Sequence, residues 1–456
     1  MEEKEEFFDE RKEQTPEIQS DEPPQPPKKK GRVGKILGCV FGTIGFTALG
    51  FLGGYFSYDT ELRSLKWAKE KIQKDYYYGA EISDKEFYDA VFGGVNGLLD
   101  QYSEYLTARE YADTLKDATG EWSGIGLNFY YDESKQETTL LVERTSGNSP
   151  AEEAGIVAGT ILLGYGKTAE SIEVCPSFTA FKDYLGDFKE GETLYLQLRV
   201  GENEPYILPI AKQSFVENYV FYRENGTGYT FTGKNALTKT EKPTLALPAL
   251  GAGAAYIRLT SFNGNAAKQF EEAMSLFKAS GRTELILDLR ANGGGYMDIL
   301  CSIASYFTKG GGKRPLVATA KYRRGEKENF YAPQNRYADY FGEGYKIRVL
   351  ADSGTASASE CLIGAMISYG VLDFSDISLS YRAGVAKTYG KGIMQTTVPR
   401  LLGYSDAIKL TSAEIFWPNG RCIHGVGVLP TDGAKTVAEN VVGDGEIEAA
   451  IALFRA

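Results

Sequence analysis

Glu284-Leu-Ile-Leu-Asp-Leu-Arg290 runs straight into Ala-Asn-Gly-Gly-Gly295, and a helical pattern opens at about Met297. A short, nearly continuous apolar run closed by a glycine cluster reads as a buried strand ending in a tight turn. Before it lie a second strand, Ala255-Tyr-Ile-Arg-Leu-Thr260, and an amphipathic helix over 266–279. Strand, helix, strand, glycine turn and helix in succession is the pattern of an α/β layer, with active-site loops at the strand ends. Gly293-Gly-Gly295 lets the backbone approach a substrate closely and offer N–H groups. A phosphate loop is excluded, because no Lys-Ser/Thr pair follows the glycines.

Two stretches further on carry the chemistry, Ser353-Gly-Thr-Ala-Ser-Ala-Ser-Glu360 and Tyr389-Gly-Lys-Gly-Ile-Met-Gln395. The chain has one histidine, His424, in a polar turn that nothing ties to a nucleophile. A serine hydrolase usually needs histidine as its base. A lysine serves instead when burial disfavours its ammonium form, and Lys391, between two glycines, is the candidate. The serine stretch passes into an apolar helix, Cys361-Leu-Ile-Gly-Ala-Met-Ile367. A hydroxyl at that N-terminus lies beside unpaired N–H groups able to hold an oxyanion. The same residues also read as a plain helix cap with Glu360 in the first turn. Spacing does not choose among the serines. Gln395 lies four residues beyond Lys391, and an extended strand would separate the two by ~13 Å.

Composition sets the bounds. At 456 residues, with 43% hydrophobic and 24% charged residues, two or three folded domains are expected. A net charge of −11 without a basic stripe argues against nucleic acid as a partner. Residues 1–34 begin with an acidic stretch and a proline run, which cannot bury enough surface to offset its ordering entropy, and are read as a disordered cytoplasmic tail. A basic cluster, Lys28 to Lys35, precedes an uncharged run over 36–58. As a helix those residues span about 34 Å at ~1.5 Å each, enough for a bilayer core of ~30 Å. The basic flank puts the tail inside and residues 59–456 outside the cytoplasm. The five cysteines show no metal spacing: Cys39 falls in the uncharged run, and the other four either pair or, as the plainer reading, stay buried as thiols. No metal or cofactor is called for.

Residues 59–118 carry helical periodicity, with Ser83-Asp-Lys-Glu86 as a capping box ahead of the second helix. From Trp122 short strands take over and continue to about Lys212: Gly124-Ile-Gly-Leu127 opens one, and Ser149-Pro-Ala-Glu-Glu-Ala-Gly-Ile156 forms a short helix with proline in its first turn. Residues 213–254 read as a linker joining the core, and 433–456 as a C-terminal helical extension.

Taken together these motifs resemble the C-terminal processing peptidases, the S41 family of exported or membrane-anchored Ser/Lys proteases with an embedded PDZ domain. The likeness runs from about residue 60. It rests on Gly97-Leu-Leu-Asp-Gln-Tyr-Ser-Glu-Tyr-Leu106, Trp122-Ser-Gly-Ile-Gly-Leu127, Asp288-Leu-Arg-Ala-Asn-Gly-Gly-Gly295, the serine and lysine stretches, and Phe416-Trp-Pro-Asn-Gly-Arg421 with Gly427-Val-Leu-Pro430. The resemblance implies an α/β fold: a crotonase-like protease core over 255–432 with an inserted PDZ-like β-rich domain over 119–212, an N-terminal helical segment and one transmembrane helix, 35–58. It implies Ser357 as nucleophile, Lys391 as general base and Gln395 as the residue orienting the lysine. Backbone N–H groups of Ala358, Gly294 and Gly295 become the oxyanion hole, and Gly124, Ile125, Gly126 and Leu127 the loop that takes a substrate C-terminus. The partners implied are protein or peptide C-termini and the membrane, with homo-oligomerisation left open. Lys391 follows Ser357 by 34 residues, a long spacing for the family, with the extra residues placed in 373–386. Two other classes compete: a PDZ adaptor that binds C-termini without cutting, and an acyl-CoA enzyme on a crotonase-like core.

Overall fold

In the computed structural model the described residues are 60–75, 82–130, 140–224, 226–233, 237–241, 250, 253–382, 384–400, 405–439 and 444–455. Glu284–Asp288 is a strand at the centre of an eight-stranded sheet. It pairs in parallel with Ala254–Leu259 on one side and Lys346–Ala351 on the other. Ile377–Leu379 and Lys435–Thr436 extend the parallel run. Val220–Glu224, Thr227–Thr232 and Thr238–Glu241 continue it antiparallel beyond Ala254–Leu259. The middle of the central strand, Leu285-Ile-Leu287, is apolar on both faces because both are covered. Leu285 and Leu287 enter one core with the helices Ala266–Ser280, Met297–Ala304 and Ala358–Ser368. Ile286, on the opposite face, packs with Ile447, Ile451 and Phe454 of the terminal helix Asp444–Arg455.

A second, five-stranded antiparallel sheet is built from Glu104–Leu106, Leu316–Tyr322, Lys327–Tyr331, Ile393–Pro399 and Ala407–Phe416. Its inner residues Val317, Ala318, Ala413 and Ile415 close the helical layer from the far side. A third, six-stranded sheet over 127–211 has its own core around Val142, Leu162, Leu194, Leu196 and Phe181. The fold is mixed α/β, with a β-rich unit set into it.

Segment 213–254 differs from its reading as a linker. Gln213–Val216 pairs back onto Glu121–Gly124, and three further strands, Val220–Glu224, Thr227–Thr232 and Thr238–Glu241, join the main sheet. Its glycines and threonines suggested a loop, whereas cross-strand pairing made it a sheet flank. The capping box at Ser83 forms, with Glu86 N–H donating to Ser83 Oγ at 3.2 Å and Ser83 N–H to Glu86 at 2.8 Å. Among the described residues no helix is long and apolar enough to cross a membrane, and the expected span, 36–58, lies outside them. Cys175, Cys301, Cys361 and Cys422 are free thiols, the first three buried.

The end of the central strand is held by a buried ionic group. Asp288, with no exposed surface, accepts from Arg290 at 2.7 Å and from the Tyr256 hydroxyl, while Arg290 also pairs with Glu446. The Arg290 guanidinium holds the Asp288 carboxyl well below the usual carboxylate range against the opposing pull of burial. Asp288→Ala is expected to cost about 3–5 kcal/mol, because it leaves a buried guanidinium without its main partner; urea denaturation reads this directly. Since the folded pKa is depressed, the stabilisation from Asp288 is full at neutral pH. It should drain away as pH falls below the ordinary carboxylate range toward the folded value.

Candidate active site

The glycine turn stands where the central strand ends. Asn292, fully buried, donates from its side chain to Leu259 O at 2.8 Å and accepts the Gly294 N–H at 2.9 Å. The turn is pinned to the neighbouring strand end by Phe262 N–H to Gly294 O and Tyr296 N–H to Phe262 O, both 2.9 Å. Gly294 has φ +104°, and a Cβ there would lie 2.8 Å from Ser357 Cβ and 2.9 Å from Ala358 N. Glycine is therefore required for the turn to reach the serine loop.

Ser357 sits at the N-terminus of the helix Ala358–Ser368 with φ +57° and ψ −115°. A non-glycine residue in that region is strained, and such strain gathers at functional sites. It resembles the sharp turn that lifts a nucleophilic serine clear of its surroundings. The structure also separates the competing hydroxyls. Thr355 and Ser359 are fully buried, donating to Leu289 O at 2.8 Å and to Asn292 O at 2.9 Å. Ser353 donates to Arg382 O at 3.2 Å. Of these hydroxyls Ser357 is the one that lines the cavity.

That cavity, about 970 Å³, brings together Ser357, Ala358, Gly293, Gly295, Lys391 and Gln395. The 34-residue path from serine to lysine adds the strand Ile377–Leu379 to the main sheet and then turns back. Tyr389 N–H reaches Thr355 O at 2.9 Å, which seats the lysine loop beside the serine loop. Burial pulls the Lys391 pKa down, Lys409 pulls it further, and Asp100 and Glu360 oppose them. The Lys391 ammonium lies 4.9 Å from the centroid of the Tyr102 ring.

Two expected details change. Gly294 N–H is not an open oxyanion donor, because the Asn292 side chain closes a two-residue turn onto it. Ala358, Gly293 and Gly295 N–H have no acceptor among the described residues. Gln395 stands past a bulge in the strand Ile393–Pro399 and donates to Thr411 Oγ1 at 3.2 Å, with no hydrogen bond to Lys391. The extended backbone between the two residues carries Gln395 away, as the rise of a strand requires. His424 is exposed and does not line the cavity.

One residue read only as a cap does more. Glu360, fully buried, accepts from Ser357 N–H at 3.0 Å and Lys391 N–H at 2.9 Å through one oxygen. Its other oxygen accepts from Gly390 N–H at 2.8 Å and Thr388 Oγ1 at 2.6 Å. A single carboxylate thus clasps both loops. Burial raises its pKa, and the four donors pull it back.

A second cavity, about 510 Å³, opens on the β-rich unit. Gly124, Ile125, Gly126, Leu127 and Phe129 form one wall, and Phe178 and Phe181 of the helix Phe178–Gly186 the other. Leu127–Tyr130 is an edge strand of its sheet, and among the described residues no strand pairs with its outer side. Gly126 has φ +80°, and a Cβ there would fall 2.1 Å from Ser149 Cβ. The helix Ala108–Thr119 flanks this groove through Arg109–Asp183 and Asp113–Lys182, at 3.2 and 3.1 Å. Among the described residues no cluster of His, Cys, Asp or Glu could hold a metal.

Serine at a strained helix start, a lysine with a lowered pKa and open backbone N–H groups define a serine-type hydrolytic centre. Residues 253–432 match the model of peptidase family S41, and the chain carries a domain of that family. A CtpA-like serine protease of Staphylococcus epidermidis is 28% identical over 371 residues, 81% of this chain and 64% of the relative. One from Staphylococcus aureus is 25% identical over 406 residues, 87% of this chain and 71% of the relative. The chain therefore spans less than two thirds of the Staphylococcus epidermidis relative. Among solved structures, the photosystem II D1 C-terminal processing protease aligns over 81% of this chain and 86% of its own, at 22% identity and a TM-score of 0.49.

Proposed function

We propose that the protein is a serine endopeptidase cutting near the C-termini of protein substrates by a Ser/Lys acyl-enzyme route. The carrying observation is the single cavity that holds Ser357, Lys391 and the glycine turn. Neutral Lys391 removes the proton from Ser357 Oγ as the oxygen attacks a peptide carbonyl. The tetrahedral oxyanion is received by N–H groups of Ala358 and of the Gly293 and Gly295 turn. Lys391 then returns the proton to the leaving amine, and water releases the acyl group by the same path.

Residues 119–212 act as a PDZ domain. The edge position of Leu127–Tyr130 and the apolar wall of Phe178 and Phe181 support this, since they suit a peptide added as a strand with its last side chain buried. Residues 36–58 anchor the chain, with the catalytic part outside the cytoplasm. The adaptor reading shares the groove but gives the Ser357 and Lys391 arrangement no role.

The full chain is expected to degrade an unstructured protein such as casein. A peptide ending in an apolar residue should bind the groove at least about tenfold better with a free carboxylate than with a C-terminal amide, a difference of ~1.4 kcal/mol. Binding without cleavage at any pH would favour the adaptor. Equal binding of acid and amide would remove the PDZ reading.

A further inference from the structure

The stretch Gly97 to Leu106 has no part in the steps above, yet it delivers a ring to the candidate base. Tyr102 lies with its centroid 4.9 Å from the Lys391 ammonium. Its position is fixed on several sides. Its N–H donates to Asp100 at 3.0 Å, Ser103 accepts from Thr411 N–H at 2.8 Å, and Glu104–Leu106 pairs with Ala407–Phe416. Its hydroxyl donates to that of Tyr389, two residues before Lys391, at 3.1 Å. Burial first, then the Tyr389 bond, push the Tyr102 phenol up to about 12. The ring is therefore uncharged at neutral pH, and it meets the lysine through its π face. Among the described residues the Lys391 amine has no carboxylate partner, and its charged neighbour Lys409 is paired with Glu104 at 3.0 Å.

We propose that Tyr102 is a positioning residue that seats the Lys391 side chain as the ammonium and so sets how readily this base gives up its proton. An aromatic face attracts a cation and does nothing comparable for a neutral amine. The ring thus works against burial and Lys409, on the same side as Asp100 and Glu360. Tyr389 holds the ring in register with the lysine loop. The assignment rests on Lys391 being the general base, but the seat itself is measurable without turnover.

The test is competitive labelling of the Lys391 amine by acetic anhydride across a pH series, read by mass spectrometry in the full chain carrying Ser357→Ala. Tyr102→Leu is expected to move the Lys391 inflection to lower pH by about half a unit to one unit, while Tyr102→Phe retains it. Tyr102→4-cyanophenylalanine keeps the shape, drains the ring of electrons and should shift the inflection in the same direction, which covers a leucine variant that fails to fold. With Ser357 restored, the acid limb of kcat/KM should move in step. An inflection unmoved in the folded leucine or cyano variant would overturn the proposal, as would a phenylalanine shift equal to that of leucine. If the protein cleaves nothing, the base assignment fails, and the labelling still decides the seat.

Discussion

Ser357→Ala is expected to lower kcat/KM on an unstructured substrate by about four orders of magnitude or more, and Lys391→Ala by a similar factor. Residues that act as one unit fail together, so the double variant should lose little beyond either single change. Lys391→Arg should be as inactive as the alanine variant, because a guanidinium stays protonated and cannot accept the serine proton. Ser359→Ala is the control. It removes only the bond to Asn292 O, at about 1 kcal/mol of stability, and should keep most of the activity. The pH profile follows from the same chemistry. The neutral amine is the working form, so the rate should rise with pH, on a limb below the ordinary lysine range because burial lowers the Lys391 pKa. Activity surviving Ser357→Ala in a verified sample would sink the assignment.

Glu360→Ala is expected to unsettle stability and catalysis together. Four donors converge on this carboxylate, from Ser357, Thr388, Gly390 and Lys391. Their loss leaves buried N–H and hydroxyl groups unpaired at about 1–3 kcal/mol each, partly recovered by water entering the gap. A net loss of roughly 3–5 kcal/mol should follow. Because the clasp sets the serine loop against the lysine loop, kcat should drop by about a hundredfold in whatever still folds, the usual penalty for a misplaced catalytic group. Glu360→Gln tells charge from shape. Its amide nitrogen would face donors, so it should rescue stability only in part. An alanine variant with unchanged kcat would show that the loops hold their register without the clasp.

The α/β character was legible from Glu284 to Gly295, because the middle of a strand covered on both faces must be apolar and its turn needs glycine. The capping box at Ser83 and the short helix after Ser149 were legible for a similar reason: the partners lie within a few residues. The strands in 213–254 were not, since Gln213–Val216 and Val220–Glu224 gain their pairing from segments far along the chain, and the Thr-, Gly- and Lys-containing strands then pair in turn onto Val220–Glu224. The choice of Ser357 over Thr355 and Ser359 came in the sequence only through the family likeness. The burial and hydrogen bonding of Thr355 and Ser359 support it independently, and both are properties of the folded packing. Glu360 read as a cap because its nearest partner is three residues away, whereas its other partners are about thirty away.

By itself the sequence determined which chemistries were available. It holds one remote histidine, a lysine between glycines, hydroxyls at a helix start and a glycine turn after a buried strand. Such features are local, and local backbone preferences write them directly into residue order. Only the tertiary structure decided which groups meet. It closed Gly294 with Asn292, turned Gln395 to Thr411, laid Lys391 against Tyr102 and tied two loops to one carboxylate. Each of those outcomes depends on distances between segments far apart in the chain, which the packing of sheets and helices sets.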